Sequence, residues 1–116
     1  MTKLNRALVA SVLLMSASSA FASSVPSIDS ACVTFPEAGI ARISGIVTDA
    51  DGDAVAVTPL VIGSCLNGSQ NVSGTSYVCD VPDSTKGYTV TLVASDAAGN
   101  YSAPVDVLVE TGCKFY

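Results

Sequence analysis

The sequence predicts an all-β, two-layer Greek-key β-sandwich of about seven strands that is held by two disulfides. From residue 23 onward, β-branched residues are abundant and no run places apolar residues at helical spacing. Clusters of Gly, Asn, Asp and Pro recur between short apolar segments, as turns do between strands. Four cysteines also stand in this small chain, which is typical of a disulfide framework. We therefore expect no helix after residue 22.

The first 22 residues have the pattern of a bacterial-type secretory signal peptide. Lys3 and Arg6 precede an apolar run over residues 7–15, and small residues then lead to the cleavage box Ala20-Phe21-Ala22. The apolar run is shorter than the roughly 20 residues that a transmembrane helix needs. We predict cleavage after this box, export to the periplasm or beyond, and a single domain over residues 23–116.

The predicted domain is strongly acidic. Three basic residues stand against ten carboxylates in residues 23–116, which gives a formal charge of −7. Such a surface repels phosphate backbones and anionic lipid headgroups. We expect neither a nucleic-acid partner nor membrane insertion.

Short segments with strand character follow one another along the domain. The first is expected at a sheet edge because it is interrupted by Pro26 and closed by Pro36, and the third is expected to bend or split at Pro59. In the segment that begins at Tyr88, alternation places Tyr88, Val90, Leu92 and Ala94 toward the core. The predicted strands cover residues 25–35, 41–48, 54–65, 76–81, 88–95 and 101–109, and a loop covers residues 66–75.

Two stretches carry a family resemblance. Tyr88-Thr-Val-Thr-Leu-Val-Ala-Ser-Asp-Ala-Ala-Gly-Asn-Tyr-Ser102 and Ile43-Ser-Gly-Ile-Val-Thr-Asp-Ala-Asp-Gly52 resemble bacterial immunoglobulin-like domains, which are often repeated in adhesins and exported enzymes. The resemblance implies a β-sandwich in which Tyr88 is a packing tyrosine near the start of the penultimate strand. The chain departs from adhesin repeats because it holds one copy and four cysteines.

The cysteines are predicted to form structural disulfides. Cys32, Cys65, Cys79 and Cys113 contain no CxxC pair, and the chain has no histidine, so a zinc site is disfavoured. Four cysteines allow three pairings. Since Cys32 lies at the first strand and Cys113 just beyond the last, on strands that are neighbours in such a sandwich, we predict Cys32–Cys113. Cys65 and Cys79 flank one loop and are predicted to pair.

One polar cluster is a candidate metal site. The immunoglobulin-like resemblance implies that the turn after the second strand, with Asp49, Asp51 and Asp53, and the turn before the last strand, with Asp96 and Asn100, emerge at the same pole of the sandwich. Carboxylate and amide oxygens are ligands for a hard cation such as Ca²⁺. The spacing is not that of an EF-hand, because its glycine falls at the fourth position and not the sixth. The alternative is a solubilising turn without metal.

The residue inventory predicts a protein that is not an enzyme. Without histidine, no Ser-His or Cys-His nucleophile can form, and no cofactor other than calcium is suggested. We expect a binding or adhesion module that recognises a protein or a surface glycan. The alternatives are a secreted hydrolase inhibitor, which would use residues 66–75, and a pilus-like subunit. The candidate aromatic platforms for a glycan are Tyr77, Tyr101, Phe115 and Tyr116.

Overall fold

The computed structural model describes residues 24–116, so the predicted signal peptide lies outside the described residues. The described chain forms nine strands and two single-turn 3-10 helices, Leu66–Gly68 and Asp83–Thr85, with no α-helix among the described residues. The strands are β1 (Ser27–Ile28), β2 (Ser30–Glu37), β3 (Ile40–Thr48), β4 (Ala54–Pro59), β5 (Val72–Ser73), β6 (Ser76–Pro82), β7 (Thr89–Asp96), β8 (Val105–Leu108) and β9 (Gly112–Phe115).

The strands form two antiparallel sheets. The larger sheet has the order β5-β6-β3-β2-β9, and β1 pairs with the end of β3 at Val47 and Thr48. The smaller sheet has the order β4-β7-β8. The predicted all-β sandwich with two disulfides is confirmed, and the two-residue strands β1 and β5 together with β9 raise the number of strands above seven.

The core lies between the sheets and follows the alternation of apolar residues. In β7 every second side chain is buried, and in β3 Ala41, Ile43 and Val47 are buried while Arg42 reaches solvent. Arg42 forms a bidentate ion pair with the buried carboxylate of Asp80 on β6, at 2.8 and 3.0 Å. This pair satisfies a charge that would otherwise be buried alone.

The predicted position of the first strand was wrong. β2 lies inside the larger sheet, between β3 and β9, and continues through Pro36 to Glu37. The proline is tolerated because the register of β2 against β3 shifts between Thr34 and Glu37, as it does at a bulge. Pro59, in contrast, marks the end of β4, so the apolar segment 54–65 is not one strand.

The predicted last strand was also too long. β8 spans only Val105–Leu108, because Pro104 has no amide hydrogen to donate to the ladder. Before Pro104, a hydrogen bond to the Ser102 side chain takes the place of ladder pairing. The Ser102 hydroxyl accepts the amide of Ala94 at 2.8 Å, and Tyr101 makes only an isolated bridge to Ser95. The chain then crosses to the other sheet and forms β9, which the sequence pattern did not reveal.

The packing tyrosine of the sandwich is Tyr77 and not Tyr88. Tyr88 precedes β7 and is 70% exposed, so its predicted inward orientation was wrong. Its backbone is held in the turn, where its amide donates to Thr85 and its carbonyl accepts from Val109, both at 2.9 Å. Tyr77 lies in β6 and is 1% exposed. The prediction failed because alternation cannot tell the first inward residue of a strand from the last residue of the preceding turn.

Candidate functional site

The two turns with the predicted metal ligands meet at one end of the smaller sheet, which we call the acidic pole (residues 49–53 and 96–100). Ala54 pairs with Asp96 where β4 lies against β7, and the Ala97 amide donates to the Asp53 carbonyl at 3.1 Å. Asp49, Asp51 and Asp53 each bring a carboxylate oxygen into one group whose atoms lie within 4.8 Å of one another.

Asp96 and Asn100 are engaged in a different way. Asp96 is buried, and one of its oxygens accepts the amides of Ala98 at 3.0 Å and Asn100 at 2.7 Å. Its other oxygen accepts the side-chain amide of Asn100 at 3.0 Å, which also donates to the carbonyl of Ser24. These bonds use the Asp96 carboxylate to close its own turn, so the carboxylates grouped for a cation are those of the three aspartates of the first turn.

The pKa values of Asp49 and Asp53 in the first turn shift in opposite directions. The Ser24 hydroxyl donates to the Asp49 carboxylate at 2.8 Å and is the main cause that lowers the pKa of Asp49. Contact with the Asp49 carboxyl group is the main cause that raises the pKa of Asp53, and burial and neighbouring negative charges add to it. Both side chains also carry an enclosed oxygen with no hydrogen-bond partner within residues 24–116. Two carboxylates in contact are stabilised by a shared proton or by a cation, and calcium binding stays a prediction.

The opposite end of the smaller sheet carries an apolar surface, which we call the apolar pole (Leu60, Val61, Ile62 and Tyr88). After β4 the chain turns over residues 60–63, closed by the bond from the Gly63 amide to the Pro59 carbonyl at 2.8 Å. All four apolar side chains are exposed, and Val61 reaches 96%. They leave the core because Pro59 ends the strand and the turn points its side chains outward.

A cleft of about 290 Å³ lies beside this turn. Its apolar lining comes from Val61, Ile62, Tyr88 and Val90, and the other lining residues are Ser84 and three threonines. None of its eight lining residues is charged, although the domain as a whole is strongly acidic. The sequence contained a signal for this surface, since three aliphatic residues stand between Pro59 and Gly63, where a turn is expected.

The aromatic residues do not form one platform. Tyr77 is excluded from glycan stacking by its burial, and Tyr101 lies apart in the chain from the adjacent Phe115 and Tyr116. Tyr101 lies just after the acidic pole and Phe115 lies on β9. The Tyr116 hydroxyl donates to the carbonyl of Asp106 at 2.8 Å, and the Lys114 ammonium stands 5.1 Å from its ring centre.

Both predicted disulfides are confirmed, as Cys32–Cys113 and Cys65–Cys79. The loop framed by the second disulfide lies against the sandwich, because the Val57 amide donates to the Gln70 carbonyl at 2.9 Å and β5 pairs with β6. No helix of the described residues is long and apolar enough to span a membrane.

Comparison of the chain with protein-family models, with curated proteins and with solved structures gives no match in any of the three. The resemblance to bacterial immunoglobulin-like domains therefore stays a prediction. We infer function from the two poles, the disulfides and the charge of the chain.

Proposed function

We propose that this protein is an exported, non-catalytic binding module that recognises a protein partner through its apolar pole. The observation that carries the proposal is the exposure of Leu60, Val61, Ile62 and Tyr88 together at one end of the sandwich. Contiguous apolar side chains at a protein surface mark an interaction site, because their exposure to water is unfavourable unless a partner covers them.

The apolar pole favours a protein partner over a glycan. A glycan presents many hydroxyl groups that require hydrogen bonds, and the aliphatic side chains of Leu60, Val61 and Ile62 offer none. The centre of a protein interface is depleted in charged residues and enriched in aromatic side chains such as tyrosine. The uncharged cleft beside the exposed Tyr88 ring matches that composition.

An oxidising compartment fits this role. Two disulfides persist where thiols are oxidised, as in a periplasm or outside the cell. The sequence pattern of residues 1–22 adds a signal for export. Export to the periplasm or into the medium is therefore part of the proposal.

A non-catalytic role is supported by the side chains available. The chain has no histidine, and all four cysteines are in disulfides. Within residues 24–116, the acidic pole is a cluster of carboxylates that opens to solvent at Asp51. This set supplies oxygen ligands and acceptors, whereas nucleophilic catalysis needs an activated nucleophile beside a base.

Site-specific photo-cross-linking in intact cells that produce the full chain tests the proposal. Benzoylphenylalanine replaces Val61 or Tyr88 at the apolar pole, and exposed Asp51 at the acidic pole serves as the matched control. We expect the same discrete protein adduct from positions 61 and 88 and none from position 51. The same adduct from all three positions, or no adduct from either apolar position, would contradict the proposal.

The identity of the captured partner also separates the alternatives from one another. A hydrolase that loses activity in the complex would indicate a secreted inhibitor, and further copies of this chain in an ordered series would indicate a pilus-like subunit. The inhibitor alternative also requires contact through residues 66–75, so cross-linking from exposed Asn67 is expected in that case alone.

A further inference from the structure

The two disulfides lie in opposite environments. Cys79 in β6 is fully buried and Cys65 is 5% exposed, so both belong to the core between the sheets. Cys32 in β2 is half-buried, and Cys113 in β9 is exposed. Cys32 faces away from the core, because its neighbours Ala31 and Val33 on β2 point inward and are buried. A thiol in solution can therefore approach Cys32–Cys113 in the native state. It can approach Cys65–Cys79 only after unfolding.

The exposed disulfide holds an edge strand. β9 pairs only with β2 among the described strands, with Cys32 directly opposite Cys113 in the register, and all four of its residues are exposed. Beyond β9 the chain is tied by Tyr116, whose amide donates to the Asp29 carbonyl at 2.9 Å and whose hydroxyl donates to the Asp106 carbonyl at 2.8 Å. Four pairings with β2 also hold the segment. Apart from the continuous chain, the disulfide is the one covalent bond among the described residues that joins the segment to the sandwich.

We infer that Cys32–Cys113 is a thiol-exchange site at which a dithiol reductant releases β9 while the rest of the sandwich stays folded. Exchange proceeds by attack of a thiolate on one sulfur of the disulfide and depends on access to that sulfur. Since Cys113 is the more exposed partner, its sulfur is the one attacked. Cys65–Cys79 is spared because its sulfurs are enclosed by the core.

The reaction balances in two steps. A thiolate of the dithiol bonds to the Cys113 sulfur, and the bond between the two protein sulfurs breaks, so that Cys32 leaves as a thiolate. The second thiolate of the dithiol then attacks the dithiol's other sulfur, which is bonded to Cys113. This closes the disulfide of the oxidised reductant and releases Cys113 as a thiolate. The protein disulfide gains two electrons and the dithiol is oxidised to a disulfide.

Release of β9 would expose groups that it now covers. Ala31 and Val33 of β2 and Val107 of β8 are buried residues that line a cleft of about 240 Å³, together with Gly112, Lys114 and Tyr116. If the segment 112–116 detaches, the backbone of β2 over residues 30–33 loses its pairing partner and becomes a free sheet edge. Reduction of one bond would therefore convert a closed edge into one that can pair with another strand.

Timed reduction with dithiothreitol tests the exchange site. Aliquots of the folded protein are quenched with iodoacetamide, and the labelled cysteines are identified by mass spectrometry. We expect Cys32 and Cys113 to be labelled at least tenfold faster than Cys65 and Cys79, and the difference to vanish in denaturant. Equal rates in the folded protein, or earlier labelling of Cys65 and Cys79, would overturn the inference.

Two further measurements test the direction of attack and the release of the strand. With 2-mercaptoethanol, a monothiol, the first trapped mixed disulfide is expected on Cys113, and an adduct on Cys32 would overturn the assignment of the attacked sulfur. After selective reduction, hydrogen exchange is expected to accelerate in residues 112–116 and to stay unchanged in β3 and β6. Unchanged exchange in residues 112–116, or acceleration throughout the sandwich, would overturn release of β9 alone.

Discussion

The hydroxyl of Tyr77 on β6 donates a 2.7 Å hydrogen bond to the backbone carbonyl of Ser30 on β2, across the intervening strand β3. The crossing passes Gly45 of β3, where a side chain would collide with that same carbonyl group. Gly45 also pairs with Tyr77 in the register of β3 and β6. A glycine in the middle strand thus lets a buried tyrosine bond to a strand that is not its neighbour.

Replacement of Tyr77 by phenylalanine tests the energetic role of this bond. Burial raises the pKa of Tyr77, so its hydroxyl stays protonated and can donate at any physiological pH. Loss of the hydroxyl leaves a buried carbonyl without this donor and is expected to lower the free energy of unfolding by about 1–2 kcal/mol. Urea denaturation measures the change, and exposed Tyr88→Phe is the matched control that should leave stability unaltered. Equal midpoints for the two variants would show that the bond contributes nothing.

The two disulfides are expected to stabilise the domain by different amounts. They close sequence separations of 81 residues for Cys32–Cys113 and 14 residues for Cys65–Cys79. The chain-entropy model gives about 4.5 kcal/mol for the first and about 3 kcal/mol for the second. Denaturation of the paired variants Cys32→Ser/Cys113→Ser and Cys65→Ala/Cys79→Ala compares them. A cavity at buried Cys79 adds to the cost of the second variant, so a loss well below about 3 kcal/mol there would contradict this account.

The contact between Asp49 and Asp53 predicts a specific pH dependence. The raised pKa of Asp53 means that the folded protein binds more protons than the unfolded chain between the unfolded and the folded pKa values. The free energy of unfolding contributed by this group therefore falls as the pH rises through that interval, and the loss is complete above the folded pKa. Asp49 acts in the opposite direction, because its lowered pKa contributes stability that is lost as the pH falls through its folded pKa.

Asp53→Asn removes the unfavourable contribution and is expected to raise the urea midpoint at pH 7. The gain should disappear as the pH falls below the ordinary carboxyl pKa of 3.8, where the Asp53 carboxyl is protonated in both the folded and the unfolded protein. Asp51→Asn removes the same charge from the same turn, but Asp51 makes the smallest contribution to the raised pKa, so its gain should be smaller. A larger gain from Asp51→Asn would contradict the account in which Asp53 is the carboxyl whose pKa is raised by contact with Asp49.

A calcium titration separates the two interpretations of the acidic pole. Binding by Asp49, Asp51 and Asp53 would raise the thermal midpoint in millimolar calcium relative to chelator, because a ligand that binds only the folded state stabilises it. Asp51→Ala should then abolish the rise, whereas Asp106→Ala on β8 should not. Identical melts across millimolar calcium would leave the cluster as a solubilising turn.

Much of the fold was predictable because it depends on local periodicity. The alternation in β3 and β7 and the position of the cysteines were enough for the sandwich and both disulfide pairs. The sequence did not reveal that Tyr77 is the buried packing tyrosine and Tyr88 the exposed one. That difference depends on which residue starts a strand. β9 also escaped prediction, because its four exposed residues carry no apolar pattern and are strand only through pairing with β2.

The candidate sites were likewise predictable only where they depend on residues that are close in the sequence. Asp49, Asp51 and Asp53 lie within five residues, so their proximity followed from the sequence, whereas the use of Asp96 to close its own turn depends on hydrogen bonds that only the folded chain defines. The apolar pole joins the turn after β4 to the residue before β7. Its aliphatic residues were predicted to belong to a strand, because apolar character alone does not distinguish a buried segment from an exposed turn. Pro59 and Gly63 on either side were the signal for a turn.

The affinity of the cross-linked partner for purified variants tests the binding role of the apolar pole most directly. Val61 is almost fully exposed, so Val61→Asp should leave the denaturation midpoint unchanged, yet it places a charge at the centre of the proposed interface. We predict that isothermal titration calorimetry will show a loss of affinity of about 30-fold or more for Val61→Asp, as expected for an interface hot spot, and no change for Asp51→Ala. Unaltered affinity for Val61→Asp would contradict recognition through the apolar pole.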